Sequence, residues 1–167
     1  FSPGNEAERV RMGEVVEDGE SVLDMFAGIG YFTLPMARAG ASVTAVERNP
    51  TAFRYLVENA MLNGVSERVT PYRADCRDVI REGLAEGEVD RVVMGYYEAH
   101  EYLDSALSAL SPGGVVHMHE ATPEDLVFER PISRLEAAAA DADRAIEVLD
   151  TRRVKGYSEG VAHVVAD

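Results

Sequence analysis

The chain has 167 residues, of which 30 are Asp or Glu and 16 are Lys or Arg, giving a net charge of −14. This length suffices for one domain with a full core, and no apolar run approaches the roughly 18 residues of a membrane span, which argues against a membrane protein. The acidic balance also argues against a polyanion bound over the whole surface, although a local basic face can still bind RNA.

Two details of composition bear on the cellular setting. The lone cysteine, Cys76, can form no internal disulfide, which fits a reducing compartment, and we expect a cytoplasmic protein. Lys155 is the only lysine. An acidic, lysine-poor chain is typical of a high-salt cell or a GC-rich genome, and equally of an ordinary acidic protein.

Strand and helix patterns alternate along the chain. Short apolar runs bounded by glycine or polar turns predict five strands, at 21–26, 42–46, 68–73, 89–94 and 115–119. Apolar residues at helical spacing predict helices at 5–16, 31–39, 51–62, 78–85, 98–110 and 131–143, the first with Asn5 as its N-cap. Two more strands, 146–154 and 161–166, are expected to form a closing hairpin. This order predicts an α/β, Rossmann-like fold: a mostly parallel seven-stranded sheet with helices on both faces and an antiparallel hairpin at one edge.

The stretch SVLDMFAGIGYFTLP, at 21–35, joins the first predicted strand to the second helix. The strand ends near Asp24, the chain turns through Ala27, Gly28 and Gly30, and helical spacing begins at Tyr31. Glycines let a backbone approach a ligand closely, and the start of the following helix offers free N–H groups. We therefore expect a nucleotide-like cofactor on this turn.

Two acidic residues follow the glycine turn at the ends of neighbouring strands. Glu47 ends the second strand, 23 residues after Asp24, where a carboxylate can accept both ribose hydroxyls of a nucleoside. Asp75 ends the third strand, where a carboxylate can accept an adenine amino group. Together they predict an adenosine pocket along the carboxyl ends of three strands.

Two cofactors containing adenosine compete for this pocket. Gly28 and Gly30 satisfy half of the G-x-G-x-x-G pattern of nicotinamide dinucleotide sites, but the third glycine position is Thr33. S-adenosylmethionine needs no pyrophosphate on the helix end and therefore suits the pattern better. We expect that cofactor and a class I SAM-dependent methyltransferase fold, with an NAD-dependent oxidoreductase as the alternative.

Six segments in sequence carry a family resemblance: FSPGN, DMFAGIGYFTLP, ERNP, ENAMLNGV, DRVVMGY and GGVVHMHE. They resemble the tRNA enzymes that act on the purine 3′ of the anticodon, and the resemblance extends to the closing RRVKGYSEGVAHVV. One branch of that family methylates guanine N1. The other belongs to the wybutosine pathway and moves the 3-amino-3-carboxypropyl group of S-adenosylmethionine onto a tricyclic guanine derivative.

Two places in the chain favour the second branch, in its archaeal type. Gly4 stands where the methylating branch typically has an arginine, and Met94-Gly95-Tyr96-Tyr97 replaces the Asn-Pro-Pro-like signature of amino-directed methyltransferases. The resemblance therefore implies aminocarboxypropyl transfer to demethylwyosine in tRNA-Phe, with methylthioadenosine as by-product. Guanine-N1 methylation is the alternative within the family.

The resemblance also implies a cofactor site. It places Ser2, Arg9, Glu47, Asp75 and Cys76 at the cofactor, with Arg9 as a partner for the methionyl carboxylate. The complete expected set adds the residues of the first strand and the turn: Ser2, Arg9, Asp24, Ala27, Gly28, Gly30, Tyr31, Glu47, Asp75 and Cys76.

Fewer residues are predicted to contact the substrate. Asn5, Tyr96 and Tyr97 are expected to contact the substrate, the tyrosines by stacking on a base drawn from the anticodon loop, with packing under a helix as an equal alternative. A proton must leave the attacked carbon. The candidates to accept it are Glu98, His100, His119 and Glu120.

Two further clusters have weaker implications. His117 and His119 share one face of a predicted strand, but with one cysteine and no nearby third ligand we expect no metal. One histidine is expected to pack in the sheet and the other to rim the cleft. Arg152, Arg153 and Lys155 form the one dense basic cluster, which either contacts phosphate or is an exposed strand end.

The chain begins at Phe1 rather than Met. We therefore expect residues 1–167 to be the catalytic domain of a longer protein whose tRNA-binding region lies upstream. The expected partner is the anticodon loop of a tRNA, with no membrane and no metal. The alternative from a different class is a non-catalytic module that recognises RNA.

Overall fold

The computed structural model describes the backbone of residues 3–83, 87–158 and 161–166, and the side chains there except at 3–5, 83, 124, 154–158 and 161–166. The strands are β1 (Ser21–Asp24), β2 (Ser42–Val46), β3 (Val69–Tyr72), β4 (Val89–Met94), β5 (Leu110–Pro123), β6 (Thr151–Ser158) and β7 (Val161–Ala166). The helices are α1 (Pro3–Val15), α2 (Thr33–Arg38), α3 (Pro50–Leu62), α4 (Cys76–Gly83), α5 (Leu103–Ala109) and α6 (Glu129–Asp141). Short 3-10 helices occupy Ser66–Arg68, Ala99–Tyr102 and Glu124–Leu126.

The described strands form one sheet in the order β3-β2-β1-β4-β5-β7-β6. The first five strands of this order are parallel, whereas β7 runs antiparallel to both β5 and β6. The chain moves outward from β1 to β3 and then returns to place β4 on the other side of β1. This reversal leaves a crevice at the carboxyl ends of β1 and β4, the usual ligand position in such a sheet. The predicted α/β fold with a parallel sheet is confirmed.

The core lies on both faces of the sheet. On one face, side chains such as Val22 and Val93 pack with buried residues of α1, α2 and α3. On the other, Leu23 and Val92 pack with buried residues of α4, α5 and α6. Successive strand residues therefore serve opposite faces, and both faces are covered, as a near-continuous apolar strand requires.

The predicted start of the first helix is wrong. Asn5 lies inside α1, which begins at Pro3, so Asn5 is not its N-cap. Proline suits the first helical position because its missing N–H has no intrahelical partner there.

The fifth strand is longer than the predicted 115–119. At its start, Leu110 pairs with Val89 and Val115 with Arg91, so the Pro-Gly-Gly segment at 112–114 is a bulge within β5 rather than a turn before it. Gly113 has a φ of +80°, which suits glycine. At its other end, β5 continues to Pro123 because residues 118–123 pair with β7, a partner distant in sequence.

Two other boundaries differ. The predicted helix 98–110 is a 3-10 helix at Ala99–Tyr102 followed by α5, and Leu110 already belongs to β5. The predicted strand 146–154 begins only at Thr151. Before it, Arg144 donates to the carbonyl oxygens of Leu107 and Leu110, which holds this segment where α5 passes into β5. Among the described residues, no helix has the length and apolar character needed to cross a bilayer.

Candidate active site

A cleft opens where β1 to β4 end, at the crevice that the strand order creates. Its lining residues come from the segments that follow these strands and from the 3-10 helix before α5: Met25, Phe26, Val46, Glu47, Arg48, Ala74, Asp75, Cys76, Tyr96 and Tyr102. Four of the residues predicted from the sequence, Glu47, Asp75, Cys76 and Tyr96, thus meet in one place.

The glycine turn beside the cleft needs glycine at two positions for different reasons. Gly28 has a φ of +59°, and a Cβ there would meet no atom within 4 Å, so the turn presents bare backbone to open space. Gly30 has a φ of +102°, and a Cβ there would lie 3.1 Å from Leu34 and 3.2 Å from Leu56. Gly30 therefore serves the packing of α2 and α3, whereas Gly28 leaves room for a ligand.

Glu47 ties this turn to the end of β2. Its carboxylate accepts hydrogen bonds from the backbone N–H groups of Gly28, at 3.0 Å, and Asn49, at 2.7 Å. The side chain of Asn49 in turn accepts from the first N–H groups of α3 and caps that helix. A carboxylate has more acceptor sites than these two bonds use, so Glu47 can still accept from a ligand in the cleft.

Asp75 is held by an arginine two residues along the chain. Arg77 donates from Nε to Oδ1 at 3.0 Å and from Nη2 to Oδ2 at 2.8 Å, and its backbone N–H also donates to Oδ1. Arg48 lies 3.6 Å from Oδ2. Chiefly because of the hydrogen bonds from Arg77, the pKa of Asp75 is lowered to about 2. The cleft therefore carries a firmly oriented, ionised carboxylate at Asp75.

Asp24 is not among the residues that line the cleft, and its contact with the cofactor stays a prediction. Its side chain is completely buried, and its Oδ2 accepts a 2.6 Å hydrogen bond from the hydroxyl of Thr33. Burial raises the pKa of Asp24 to about 6, against hydrogen bonds from Thr33 and the Phe26 backbone that lower it. Asp24 thus supports the glycine turn from beneath.

Cys76 lines the cleft as a neutral thiol. It is buried, and burial raises its pKa to about 11, with a further increase from the charge of Asp75. A thiol at ordinary pH is a poor nucleophile. Cys76 therefore contributes shape to the cleft rather than covalent chemistry.

Arg9 and Tyr31 contact each other beside the glycine turn. The guanidinium carbon of Arg9 lies 5.8 Å from the centroid of the Tyr31 ring, within the range of a cation–π contact. Neither residue is among those that line the cleft, and a role at the cofactor remains a prediction for both. Ser2 and the side chain of Asn5 lie outside the described residues.

An aromatic wall, made of Phe26, Tyr96 and Tyr102, closes one side of the cleft. The ring centroids of Tyr96 and Tyr102 lie 5.0 and 5.1 Å from that of Phe26. Tyr96 is exposed, and its hydroxyl donates to Glu98 at 3.1 Å. Tyr97 is only half-buried, and its carbonyl accepts from the N–H of Ala121. Tyr96 is therefore the better placed of the two predicted tyrosines for stacking.

The candidate proton acceptors divide by burial. Glu120 is fully buried and bound by Thr122, Arg130 and Arg134. His119 is also buried, with its ring 5.3 Å from that of Phe32. Neither is exposed to the cleft, and a role in proton transfer stays a prediction for both.

The other two acceptors lie nearer the surface. His100 contacts Arg134, and burial together with that positive charge lowers its pKa, so its ring is neutral at ordinary pH. Glu98 is exposed and bonded to the hydroxyl of Tyr96 in the aromatic wall. Only Glu98 reaches the cleft through a described contact.

The histidine pair and Arg152 of the basic cluster make structural contacts. His117 is buried against Arg91, 2.7 Å away, so neither His117 nor His119 rims the cleft. Arg152 donates to Glu8 at 2.6 Å and to Asp150 at 2.6 Å, which engages it with carboxylates instead of phosphate. Across the residues with described side chains, no three His, Cys, Asp or Glu groups come together as a metal site.

The profile of the TRM5/TYW2 methyltransferase domain family matches residues 1–149. The chain belongs to this family. The resemblance inferred from the sequence motifs is thereby confirmed.

Relatives within the TRM5/TYW2 family differ in their similarity to the chain. It is 44% and 41% identical, over its whole length, to the tRNA(Phe) (4-demethylwyosine(37)-C(7)) aminocarboxypropyltransferases of Methanocaldococcus jannaschii and Pyrococcus horikoshii. It is 34% identical over its whole length to the tRNA (guanine(37)-N(1))-methyltransferase Trm5b of Pyrococcus abyssi. The chain spans 66% and 59% of the length of the two aminocarboxypropyltransferases and 49% of Trm5b.

Solved structures of TRM5/TYW2 proteins share the fold. M. jannaschii TYW2, in complex with AdoMet, matches all of this chain and 75% of its own with a TM-score of 0.90 at 42% identity. P. horikoshii TYW2, in complex with MeSAdo, matches all of this chain and 62% of its own with a TM-score of 0.92 at 40% identity.

The sequence did not point to several residues of the site, among them two arginines and one aromatic ring. Arg48 and Arg77 flank Asp75, and Tyr102 completes the aromatic wall. Arg77 also lies over the Tyr102 ring, 4.7 Å from its centroid. The sequence contains one signal for the two arginines, which is their position beside an acidic residue at a strand end. Arg48 directly follows Glu47, and Arg77 follows Asp75 by two residues.

Proposed function

We propose that this chain is the catalytic domain of a transferase that uses S-adenosylmethionine and moves its 3-amino-3-carboxypropyl group to 4-demethylwyosine, 3′ of the anticodon in tRNA-Phe. The observation that carries the proposal is that Glu47 and Asp75 line one cleft and that Glu47 accepts a hydrogen bond from the open turn at Gly28. The higher identity to the aminocarboxypropyltransferases than to Trm5b supports the choice of transferred group.

The residues present fit S-adenosylmethionine. Glu47 is placed to accept from the ribose hydroxyls and Asp75 from the adenine amino group, while Gly28 allows the backbone to approach the ligand. Arg9, beside the turn, is a partner for the methionyl carboxylate through its fork of N–H donors. The bound cofactor supplies a sulfonium whose methyl and Cγ are both open to in-line attack.

The transfer is a displacement at Cγ. C7 of the modified base forms a bond to Cγ, the Cγ–S bond breaks with its electron pair going to sulfur, and methylthioadenosine leaves. The proton on C7 must then depart, and Glu98 is the candidate acceptor because it is exposed and joined to Tyr96. The protein's main contribution is orientation, since the same sulfonium gives methyl transfer if the methyl group faces the nucleophile.

The turn after β4 supports this choice over N1 methylation. A Cβ on Gly95 would lie 3.1 Å from the ring of Phe32, so an asparagine at this position would displace that ring. In amino-directed methyltransferases, an asparagine-containing signature positions a ring nitrogen. This chain has Gly95 followed by Tyr96 instead, and the packing of Phe32 favours the glycine.

The test gives the full-length protein tRNA-Phe containing 4-demethylwyosine and S-adenosylmethionine labelled in either the carboxyl carbon or the methyl carbon. Carboxyl label in the tRNA, with stoichiometric methylthioadenosine, is the expected result. A parallel reaction uses tRNA with unmodified guanosine at the same position.

Three other results would overturn the proposal. Methyl label in the guanosine tRNA, without carboxyl label in either RNA, would assign guanine-N1 methylation. Binding of tRNA without transfer of either label would assign a non-catalytic RNA-binding module. The absence of any S-adenosylmethionine binding would remove the cofactor assignment itself.

The tRNA partner and the cellular location follow from the same proposal. The anticodon loop must present its base to the cleft, where the exposed ring of Tyr96 offers a stacking surface. A tRNA substrate and a buried, unpaired Cys76 fit the cytoplasm. We expect a region outside this chain to add grip on the tRNA, because the described basic residues near the cleft mouth, Arg48 and Arg77, are engaged with Asp75.

A further inference from the structure

Two of the three rings of the aromatic wall stand on one segment, Gly95 to Tyr102. This segment joins β4 to α5 and contains only the short 3-10 helix Ala99–Tyr102. Hydrogen bonds within the segment therefore fix the conformation of only part of it. The positions of Tyr96 and Tyr102 in the cleft depend on what holds the segment from outside.

One support comes from the backbone of β5. Glu98 and Glu120 form an isolated antiparallel bridge, and the N–H of Ala121 donates to the carbonyl of Tyr97 at 3.2 Å. The segment thus lies along β5 where Glu120 sits. The contacts of the Glu120 side chain therefore determine which other elements are connected to the segment here.

The Glu120 carboxylate is fully buried and faces two arginines of α6. Arg134 donates to its Oε1 at 2.6 Å, and Arg130 donates to its Oε2 at 3.3 Å. Thr122 also donates to Oε2. A buried carboxylate of this kind is tolerable only when it is paired, and removal of one partner leaves an uncompensated charge.

Arg134 and Arg130 differ in their second contact. Arg130 donates from Nη2 to the carbonyl of Ala121, on β5, at 3.4 Å, whereas the second contact of Arg134 is with the segment itself. Nη1 of Arg134 also lies 3.0 Å from Nδ1 of His100, on the 3-10 helix of the segment. Arginine has only donors, so Nδ1 of His100 accepts and its ring proton is on Nε2. A continuous link therefore runs from Glu120 on β5, through Arg134 on α6, to His100, two residues before Tyr102.

We propose that Glu120 and Arg134 are positioning residues that hold the segment Gly95 to Tyr102, and so the aromatic wall, in place at the cleft. This inference rests on the proposed function and deepens it, because it assigns the rings that line the cleft a support outside it. Glu120 thereby has a role other than proton transfer. Glu47 makes no described contact with this link, whereas Asp75 meets the segment through Arg77, which lies over the Tyr102 ring.

The test compares Arg134→Met with Arg130→Met. Each variant removes one arginine partner of Glu120 by the same change of side chain, but only Arg134→Met cuts the link to His100. The readout is the dissociation constant of S-adenosylmethionine by calorimetry on the full-length protein, at a temperature where circular dichroism finds every variant folded. We expect at least a fivefold loss of affinity for Arg134→Met and less than a twofold change for Arg130→Met.

His100 supplies the second arm of the test. His100→Asn retains an acceptor close to the position of Nδ1 and should bind the cofactor like the wild type, whereas His100→Leu should match Arg134→Met. Because His100 and Arg134 act through one link, the double variant His100→Leu/Arg134→Met should bind no more than twofold more weakly than either single variant.

The outcomes separate the two proposals. If the wild type binds S-adenosylmethionine and Arg134→Met binds it equally well, the positioning role is overturned while the proposed function stands. Equal losses in Arg134→Met and Arg130→Met, or additive losses in the double variant, also overturn it, since they indicate a general loss of packing. A wild type that binds no S-adenosylmethionine overturns the function and this inference with it.

Discussion

Thr33 donates a 2.6 Å hydrogen bond to Asp24, whose side chain has no exposed surface. The two residues stand on either side of the glycine turn, at the end of β1 and the start of α2. The threonine at the position of the third glycine in a dinucleotide pattern is therefore the partner of a buried carboxylate. Their bond closes the base of the turn that carries Gly28 and Gly30.

The burial of Asp24 predicts that the free energy of unfolding depends on pH. The pKa of Asp24 is about 6 in the folded chain, against an ordinary value of 3.8, so between these pH values the folded chain holds a proton that the unfolded chain has lost. The contribution of this group to stability therefore falls as pH rises from about 4 to 6, and stays low above it. Asp24→Asn keeps an acceptor for Thr33 but cannot ionise. Its stability relative to the wild type should rise by about 3 kcal/mol from pH 4 to pH 7, measured by urea unfolding.

The control is at the other end of the hydrogen bond. Thr33→Ser retains the donor and should leave the pH profile unchanged. Thr33→Val removes the hydrogen bond that lowers the pKa of Asp24, so the fall in stability should extend to higher pH. A stability difference between Asp24→Asn and the wild type that is constant with pH would contradict the prediction.

The two glycines of the turn predict separable effects. Gly28→Ala places a Cβ in open space at a φ of +59° and should cost about 1–2 kcal/mol of stability while weakening S-adenosylmethionine binding. Gly30→Ala adds crowding against Leu34 and Leu56 at a φ of +102° and should cost more, about 2–4 kcal/mol. Urea unfolding and calorimetry on both variants provide the measurements. A larger loss of stability in Gly28→Ala than in Gly30→Ala would contradict this assignment.

The residues at strand ends could be placed from the sequence because parallel strands bring their carboxyl ends to one edge. Glu47 and Asp75 were recognisable for this reason, and both line the cleft. Asp24 ends a strand too, but the sequence did not reveal that Thr33 would turn to meet it beneath the turn. Whether an acid at such a position faces ligand or core depends on the loop that follows it.

Contacts between distant elements could not be predicted in the same way. Glu120 resembled an acid at a cleft, yet two arginines of α6 enclose it, and only the packing of that helix on β5 brings them there. The length of β5 had the same origin, since its last six residues pair with a strand near the end of the chain. Helical and strand periodicity carry no information about such partners.

The fork between Arg77 and Asp75 predicts a specific loss in the cofactor site. Arg77→Lys keeps the charge but cannot donate in parallel to both oxygens of Asp75 or lie flat over the Tyr102 ring. The pKa of Asp75 should then rise from about 2 towards its ordinary value of 3.8, and affinity for S-adenosylmethionine should fall roughly threefold. Carboxyl NMR titration and calorimetry measure these quantities. Arg48→Met is the control, because its contact with Asp75 is longer, at 3.6 Å, and an equal effect there would contradict the role of the fork.

The net charge of −14 predicts that salt stabilises the folded chain. Repulsion among surface carboxylates opposes the compact state, and raising ionic strength from about 0.01 to 0.3 M shortens its range from roughly 30 Å to less than 10 Å. We expect the Tm to rise by several degrees over this range, equally in NaCl and Na₂SO₄ at matched ionic strength. The variant Glu14→Lys/Glu67→Lys/Glu136→Lys changes three exposed residues, each by two charges. It should have a higher Tm at low salt and a weaker salt dependence, because less repulsion is left to screen. A salt dependence that differs between the two salts, or that the triple variant leaves unchanged, would attribute the effect to specific ions instead of surface repulsion.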